Sequence, residues 1–183
     1  MSDNPPRLAI VDVGLAAGSL TSALCRVASR RAVESGLMCT DLSVEKSRVL
    51  PFGEEGSSGA VILSQALAAA EGVLIAFPVY NFNMNASLKS LIEHCSRDLG
   101  GKVVGIMATA GGRFGYMSML SVIQTLMLDV RCWIVPRQVY AVSEDFRDGS
   151  IVSADVERRV YELVDCVATA TWRMRQTPPS WEK

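Results

Sequence analysis

Short, almost uninterrupted apolar segments alternate along the chain with longer segments of helical periodicity. Three apolar segments stand out: LAIVDV at residues 8–13, GVLIAF at residues 72–77 and KVVGIMA at residues 102–108. Strands that lack a polar alternation are typical of sheets buried on both faces. The alternation therefore predicts a parallel sheet covered by helices on both sides, with right-handed crossovers between its strands.

Two weaker segments, residues 37–42 and 133–142, complete a set of five predicted strands. Pro136 removes a backbone donor from the last of them, which indicates an edge strand or a bulge. Pro78 is expected to end the third strand. Five strands favour the order 2-1-3-4-5 of flavodoxin-like domains, whose ligand crevice lies where strands 1 and 3 diverge. The predicted fold is thus α/β, a three-layer doubly wound five-stranded parallel sheet.

The periodic segments between the strands predict five helices. Residues 43–59 contain Pro51, glycines and several charges, and they are expected to form an exposed loop. The predicted helices lie at residues 20–28, 60–71, 87–97, 116–128 and 154–173.

A chain of 183 residues has the size of one domain, and we expect residues 1–183 to form one, with flexible tails at residues 1–6 and about 176–183. Lys and Arg total 18 against 19 for Asp and Glu, a formal net charge of −1. This balance lacks the basic footprint of proteins that bind a nucleic-acid backbone. We therefore expect no nucleic-acid partner.

Five cysteines, an odd number without a CxxC pair, fit neither a disulfide framework nor a four-thiolate metal site. The favoured interpretation is buried thiols in a reducing compartment. The first residues lack a signal-peptide pattern, and no apolar run approaches the roughly 18 residues of a membrane span. We expect a cytoplasmic protein without a membrane partner.

The predicted strand order brings the loops after strands 1, 3 and 4 to one crevice. The first loop, residues 14–22, leads into a helix whose free N–H groups and positive dipole end suit a phosphate. Ser19, Thr21 and Ser22 add hydroxyl donors there. The alternative is a plain helix start with Ser19 as its N-cap.

The other two loops carry groups that suit a flat aromatic ligand. Residues 78–85 place two aromatic and three amide side chains directly after a buried strand, as a flavin ring requires. In residues 109–115, glycines let the backbone approach a ligand, and Arg113 is the only cation in the three loops. Alternatively, Phe82 and Phe114 cap the core, and Arg113 is a solvated turn charge.

Two of these stretches carry a resemblance. VLIAFPVYNFNMNASLKSLIEHCS at residues 73–96, followed by TAGGRFG at residues 109–115, resembles the NAD(P)H-dependent FMN reductase family, which includes bacterial quinone, chromate and azo-dye reductases. The resemblance implies a flavodoxin-like fold, noncovalent FMN, hydride transfer from NADPH or NADH, and dimers or tetramers. It also implies that Pro78, Tyr80 and Asn81 line the flavin, and that residues 110–113 approach the polar edge of its ring.

The chain departs from the family pattern at two places. Val79 stands where the family usually has Glu, and the first loop has Leu15 and no arginine where the family commonly reads GSxRxxSxN. A phosphate would lose a charge-assisted partner worth about 1.5–3 kcal/mol. Two alternatives follow, either weak FMN binding or an arginine supplied from elsewhere in the chain.

The sequence thus predicts an NAD(P)H-dependent flavoprotein that passes hydride to a quinone, another small acceptor or free flavin. Because the reactive atom in hydride transfer belongs to the flavin, we assign no catalytic side chain and no metal ligand. The alternatives are an FMN-binding or assembly protein without turnover and, ranked lower, a one-electron carrier. The predicted cofactor-binding residues are Ser19, Thr21, Ser22, Pro78, Val79, Tyr80, Asn81, Phe82, Thr109, Ala110, Gly111, Gly112 and Arg113.

Two further features shape these expectations. His94, the only histidine, lies on a predicted helix away from the crevice, which disfavours a Ser-His-Asp, Cys-His or zinc site. The helix predicted at residues 116–128 is apolar on nearly every side, too much so for one that faces water. We therefore expect a homodimer or homotetramer.

Overall fold

The computed structural model describes residues 4–16, 18–54 and 58–176, and its centre is a mostly parallel sheet. The sheet order is β2-β1-β3-β5, with β6 and β7 both paired to the outer edge of β5. Counted as five principal strands, this is the predicted order 2-1-3-4-5. The strands are β1 (Arg7–Asp12), β2 (Met38–Ser43), β3 (Gly72–Tyr80), β4 (Asn83–Met84), β5 (Val103–Ala110), β6 (Trp133–Ile134) and β7 (Val139–Val142).

Helices cover both faces of the sheet, which confirms the predicted three layers. The helices are α1 (Leu20–Glu34), α2 (Val44–Ser47), α3 (Ser58–Ala69), α4 (Ala86–Leu99), α5 (Met119–Gln124) and α6 (Ala154–Gln176). Successive strand residues point to opposite faces. In β3, Leu74 and Ala76 therefore pack with α1 and α6, whereas Val73, Ile75 and Phe77 pack with α3, α4 and α5.

The third strand continues through Pro78 to Tyr80, so the prediction that Pro78 ends it is wrong. The carbonyl of Ala76 accepts a hydrogen bond from the N–H of Val13, at the end of β1. Pro78 lies two residues further and faces the same side, where β1 has already ended. Its missing N–H therefore costs no ladder hydrogen bond, while the strand keeps its pairing with β5 opposite Thr109.

The predicted fifth strand at residues 133–142 is divided around Pro136 into the short strands β6 and β7. The predicted loop at residues 43–59 contains the one-turn helix α2, because the Ser43 hydroxyl accepts the Lys46 N–H at 3.3 Å and caps it. The predicted helix at residues 116–128 is a succession of a 3-10 helix (Arg113–Ser118), α5 and a π turn (Thr125–Asp129).

Two short strands outside the main sheet, β8 (Phe146–Arg147) and β9 (Ser150–Ile151), form an antiparallel pair before α6. Residues 1–3 and 177–183 of the predicted tails lie outside the described residues. Within the described part, Pro6 is buried, and Arg175 on α6 donates to the Asn4 carbonyl at 2.8 Å. None of the described helices has the length and apolar character needed to cross a membrane.

Candidate functional site

The carboxyl ends of β1, β3 and β5 border one cleft, a cavity of about 310 Å³. The end of β3 forms one wall, and the end of β5 with the glycine-rich loop after it forms a second. The third wall is the loop that leads into α1. The predicted residues that line it are Ser19, Thr21, Pro78, Val79, Tyr80, Thr109, Ala110 and Gly111. The structure therefore brings together residues from all three predicted loops.

A second cavity, of about 390 Å³, adjoins the first and shares Val79, Ala110 and Gly111 with it. Three more predicted residues, Asn81, Phe82 and Gly112, line this second cavity.

The remaining two predicted residues have other surroundings. Ser22 lines a separate cavity on the far side of the first loop. Arg113 forms an ion pair with Glu144 at 3.4 Å, in which both side chains are largely exposed.

The turn that links β3 to β4 is strained. Asn81 and Phe82 have φ angles of 51° and 56°, in the left-handed region. Tyr80 pairs with Asn83 across them, so the turn has the two positive φ angles typical of a tight hairpin. Asn tolerates this conformation, whereas a residue such as Phe incurs a cost of about 1–2 kcal/mol. Strained residues cluster at functional sites, and the Phe82 side chain, 71% exposed, borders the second cavity.

Tyr140 holds the glycine loop after β5 in place. Its hydroxyl donates to the carbonyl of Gly112 at 2.7 Å and accepts the backbone N–H of Gly115. Burial raises the pKa of Tyr140, partly opposed by the Gly115 hydrogen bond, so the phenol stays protonated and donates at neutral pH. A Cβ on Gly115 would lie 2.7 Å from that hydroxyl, which explains the glycine. The sequence analysis missed Tyr140 because its partner lies 28 residues away.

The first loop is organised by Asp12, the last residue of β1. One of its carboxylate oxygens accepts the Gly14 N–H at 2.9 Å, and the other accepts the Ser22 hydroxyl at 2.5 Å. Ser19 Oγ lies 2.9 Å from Ser22 Oγ and 2.7 Å from Thr21 Oγ1. Any Cβ on Gly14 would collide with the Ser19 and Thr21 hydroxyls at 2.3 and 2.4 Å. Sequence reasoning missed Asp12, which sits inside an apolar run.

Asn85, a third residue outside the predicted cofactor-binding set, joins the first two loops. Its amide nitrogen donates to the carbonyl of Val13 at 3.0 Å, and its amide oxygen caps α4 by accepting the Leu88 N–H at 3.3 Å. The side chain is 3% exposed. The end of β1 is thereby fixed relative to the segment that follows β3.

The sequence of this arrangement matches a known family. A family model of NADPH-dependent FMN reductases aligns with residues 6–147, which include all three loops and every strand that borders the cleft. The chain belongs to this family. Its cofactor is FMN, and NAD(P)H is the electron donor.

Solved structures share the fold of this family member at low sequence identity. An NADH:FMN oxidoreductase (EMOB, apo form) has a TM-score of 0.77 at 16% identity, over 90% of this chain and 89% of that one. The flavoenzyme NAD(P)H:(acceptor) oxidoreductase FerB from Paracoccus denitrificans has 0.74 at 18%, over 92% and 98%. RosB with bound 8-demethyl-8-formylriboflavin-5′-phosphate has 0.75 at 12%, over 95% and 82%.

The residues of the cleft fit the FMN of the family. Around Gly111 and Gly112 no atom lies within 4 Å of an added Cβ, so their backbone is open to a ligand. Ser19 is the N-cap of α1, as in the alternative drawn from the sequence, because its hydroxyl accepts the Ser22 N–H at 3.2 Å. The N–H groups of Leu20 and Thr21 precede the intrahelical hydrogen bonds and suit an anion. These groups and the Ser19 and Thr21 hydroxyls would hold the phosphate, whereas Ser22 already donates its hydrogen to Asp12.

We predict that Tyr140→Phe weakens FMN binding. Removal of the phenol frees the Gly112 carbonyl and the Gly115 N–H, so the loop loses order before the flavin binds. A loss of about 1 kcal/mol corresponds to a roughly fivefold higher Kd, measurable by quenching of FMN fluorescence. Tyr161→Phe on α6, which removes two hydrogen bonds from Arg30 away from the cleft, is the control. Equal FMN affinity in both variants would refute a positioning role for Tyr140.

We also predict that Phe82→Gly stabilises the protein. Glycine relieves the positive φ, and after its larger entropy in the unfolded chain is subtracted, the free energy of unfolding rises by about 0.5–1 kcal/mol. Chemical denaturation measures the change. The matched control is Phe114→Gly, another exposed phenylalanine whose φ is not positive. A free energy of unfolding no higher for Phe82→Gly than for this control would exclude strain at Phe82.

Proposed function

We propose that the protein reduces a quinone or a similar flat aromatic acceptor, with NAD(P)H as the donor and bound FMN between them. The observation that carries this proposal is the second cavity, which shares three lining residues with the FMN cleft. Its walls are aromatic and backbone groups, including Phe82, Phe114 and Tyr140. A flat apolar molecule would gain stacking contacts there, each worth about 0.5–1.5 kcal/mol.

The reaction requires little acid-base chemistry from the chain. The two-electron carrier would be the bound FMN. Overall, a hydride from NAD(P)H and one proton from solvent convert a quinone to a hydroquinone. The chain's own tasks are positioning ones. Tyr140 and Gly112 hold the glycine loop against the ring edge, Phe82 and Phe114 border the acceptor, and the first loop and α1 retain the phosphate. We propose the other predicted cofactor-binding residues as contacts of the ribityl chain and the ring.

A test of the acceptor uses the variant Phe114→Ala. Phe114 is 95% exposed, so its truncation leaves the core intact. We expect the KM for a naphthoquinone to rise about fivefold, the loss of one aromatic contact, while the KM for ferricyanide, which does not stack, is unchanged. Phe52→Ala, on an exposed loop beside His94, is the control.

Two results would contradict the proposed acceptor. The first is an equal change of KM for naphthoquinone and ferricyanide in Phe114→Ala. The second is a wild-type enzyme that oxidises NAD(P)H with free FMN but not with any quinone, which would favour free flavin as the acceptor.

We further propose that a second copy of the chain covers the surface around α5. Residues 114–128 contain no charged side chain, and they include the exposed apolar side chains of Tyr116, Met117, Leu120 and Leu128. A neutral apolar surface is matched by another of the same kind, which a second copy provides. Phe114 connects this surface to the second cavity, so the interface would adjoin the acceptor site.

Light scattering at micromolar concentration tests this proposal, with a dimer or a tetramer expected for the wild type. Leu120→Glu places a charge at the centre of the surface and should yield a monomer with an unchanged circular dichroism spectrum. Val61→Glu, on the exposed side of α3, is the matched control and should remain oligomeric. A monomeric wild-type protein would refute the proposed interface.

A further inference from the structure

A third cavity, of about 510 Å³, lies on the opposite side of the first loop from the FMN cleft. It opens at the carboxyl ends of β1 and β2, with α1 on one side and α2 and α3 on the other. Gly14 lines both this cavity and the FMN cleft, so the loop is the wall between them. The volume falls within the roughly 300–1,000 Å³ of small-molecule sites.

The lining of the third cavity combines cations, carboxylates and apolar surface. Two cations face it, Lys46 on α2 and Arg26 on α1. Within the described residues Lys46 forms no ion pair, whereas Arg26 is held by the carbonyl of Gly149 at 2.5 Å. Asp41 on β2 offers a carboxylate, one oxygen of which accepts the Ser29 hydroxyl. Ile62 on α3 adds exposed apolar surface.

We propose that this cavity binds the adenosine-phosphate half of NAD(P)H. In doubly wound dinucleotide-binding domains, an acidic residue beyond the first helix binds the ribose hydroxyls of the adenosine. Asp41 lies in β2, next to β1, and its second carboxylate oxygen is available for a ribose diol. Lys46 and Arg26 would bind phosphate oxygens, and Ile62 would cover one face of the adenine. The nicotinamide half would then reach the flavin across the first loop.

Simpler ligands fit the same lining less well. Inorganic phosphate would use the two cations but would leave the Asp41 carboxylate without a ligand partner. A metal ion is disfavoured, since no group of three metal-binding side chains occurs among residues 4–16, 18–54 and 58–176. A ligand that carries both a diol and a phosphate uses the carboxylate and the cations together. The inference rests on the donor of the proposed function and not on its acceptor.

The first test measures binding of adenosine 5′-monophosphate to FMN-free protein by calorimetry. The variant is Lys46→Glu, an exposed position where a charge reversal leaves the core untouched. The control is Lys89→Glu on α4, another exposed lysine, whose partner is Glu93. We expect the nucleotide to bind the wild type and the control alike, and Lys46→Glu at least tenfold more weakly, the loss of one charge-assisted hydrogen bond. Absence of binding at millimolar nucleotide, or equal binding by Lys46→Glu, overturns the proposal.

The second test compares NADPH and NADH with reduced nicotinamide mononucleotide, which lacks the adenosine half. Bleaching of the bound flavin is followed without oxygen, so the result does not depend on the acceptor. In Lys46→Glu, we expect the ratio of the half-saturating concentration of the dinucleotide to that of the mononucleotide to rise about tenfold. An unchanged ratio overturns the inference, including the case in which the nucleotide binds but serves a separate function. Flavin that bleaches normally without passing electrons to a quinone would contradict only the proposed acceptor.

Discussion

The site depends on the unequal lengths of neighbouring strands. β1 ends at Asp12, opposite Ala76, whereas β3 and β5 continue side by side to Pro78 and Thr109. Because β1 is shorter, β3 and β5 extend beyond it as a pair, beside the loop that enters α1. The FMN cleft lies over this extended pair of strands. The buried amide of Asn85 fixes the end of β1 relative to the segment after β3, because it donates to the carbonyl of Val13 and caps α4 at the same time. A shift of β1 by one residue would exchange the side chains that it contributes to the two cores, Leu8 and Ile10 on one face and Ala9 and Val11 on the other.

Much of this arrangement follows from the sequence. Parallel strands buried on both faces have a characteristic composition, and the strand order then determines which loops meet. Most residues that line the two adjoining cavities come from the three loops that composition alone marks as unusual. The continuation of β3 through Pro78 could not be predicted from the sequence, because the cost of a proline in a strand depends on which side of the strand still has a neighbouring strand. That side is a property of β1, which lies more than sixty residues earlier in the chain.

Tyr140 and Asp12 were missed for a related reason. Each sits in an apolar strand and resembles its neighbours in pattern, and each acts through a hydrogen bond to a loop residue distant in sequence or across the strand end. Periodicity reports which face a side chain occupies, but it carries no information about the polar atom at its tip. The signal that marks both residues is a polar side chain in a buried strand, because buried polar groups are nearly always hydrogen-bonded.

Asp12 offsets part of the cost of the missing arginine in the first loop. The missing arginine is accompanied by a carboxylate whose oxygens already organise Gly14 and Ser22, so the loop is shaped by its own hydrogen bonds before any phosphate arrives. A loop ordered in advance loses little entropy on binding, which offsets part of the lost ion pair. The same loop separates the FMN cleft from the third cavity. If a nucleotide in that cavity strengthens FMN binding through the shared loop, linkage requires FMN to strengthen nucleotide binding by the same factor.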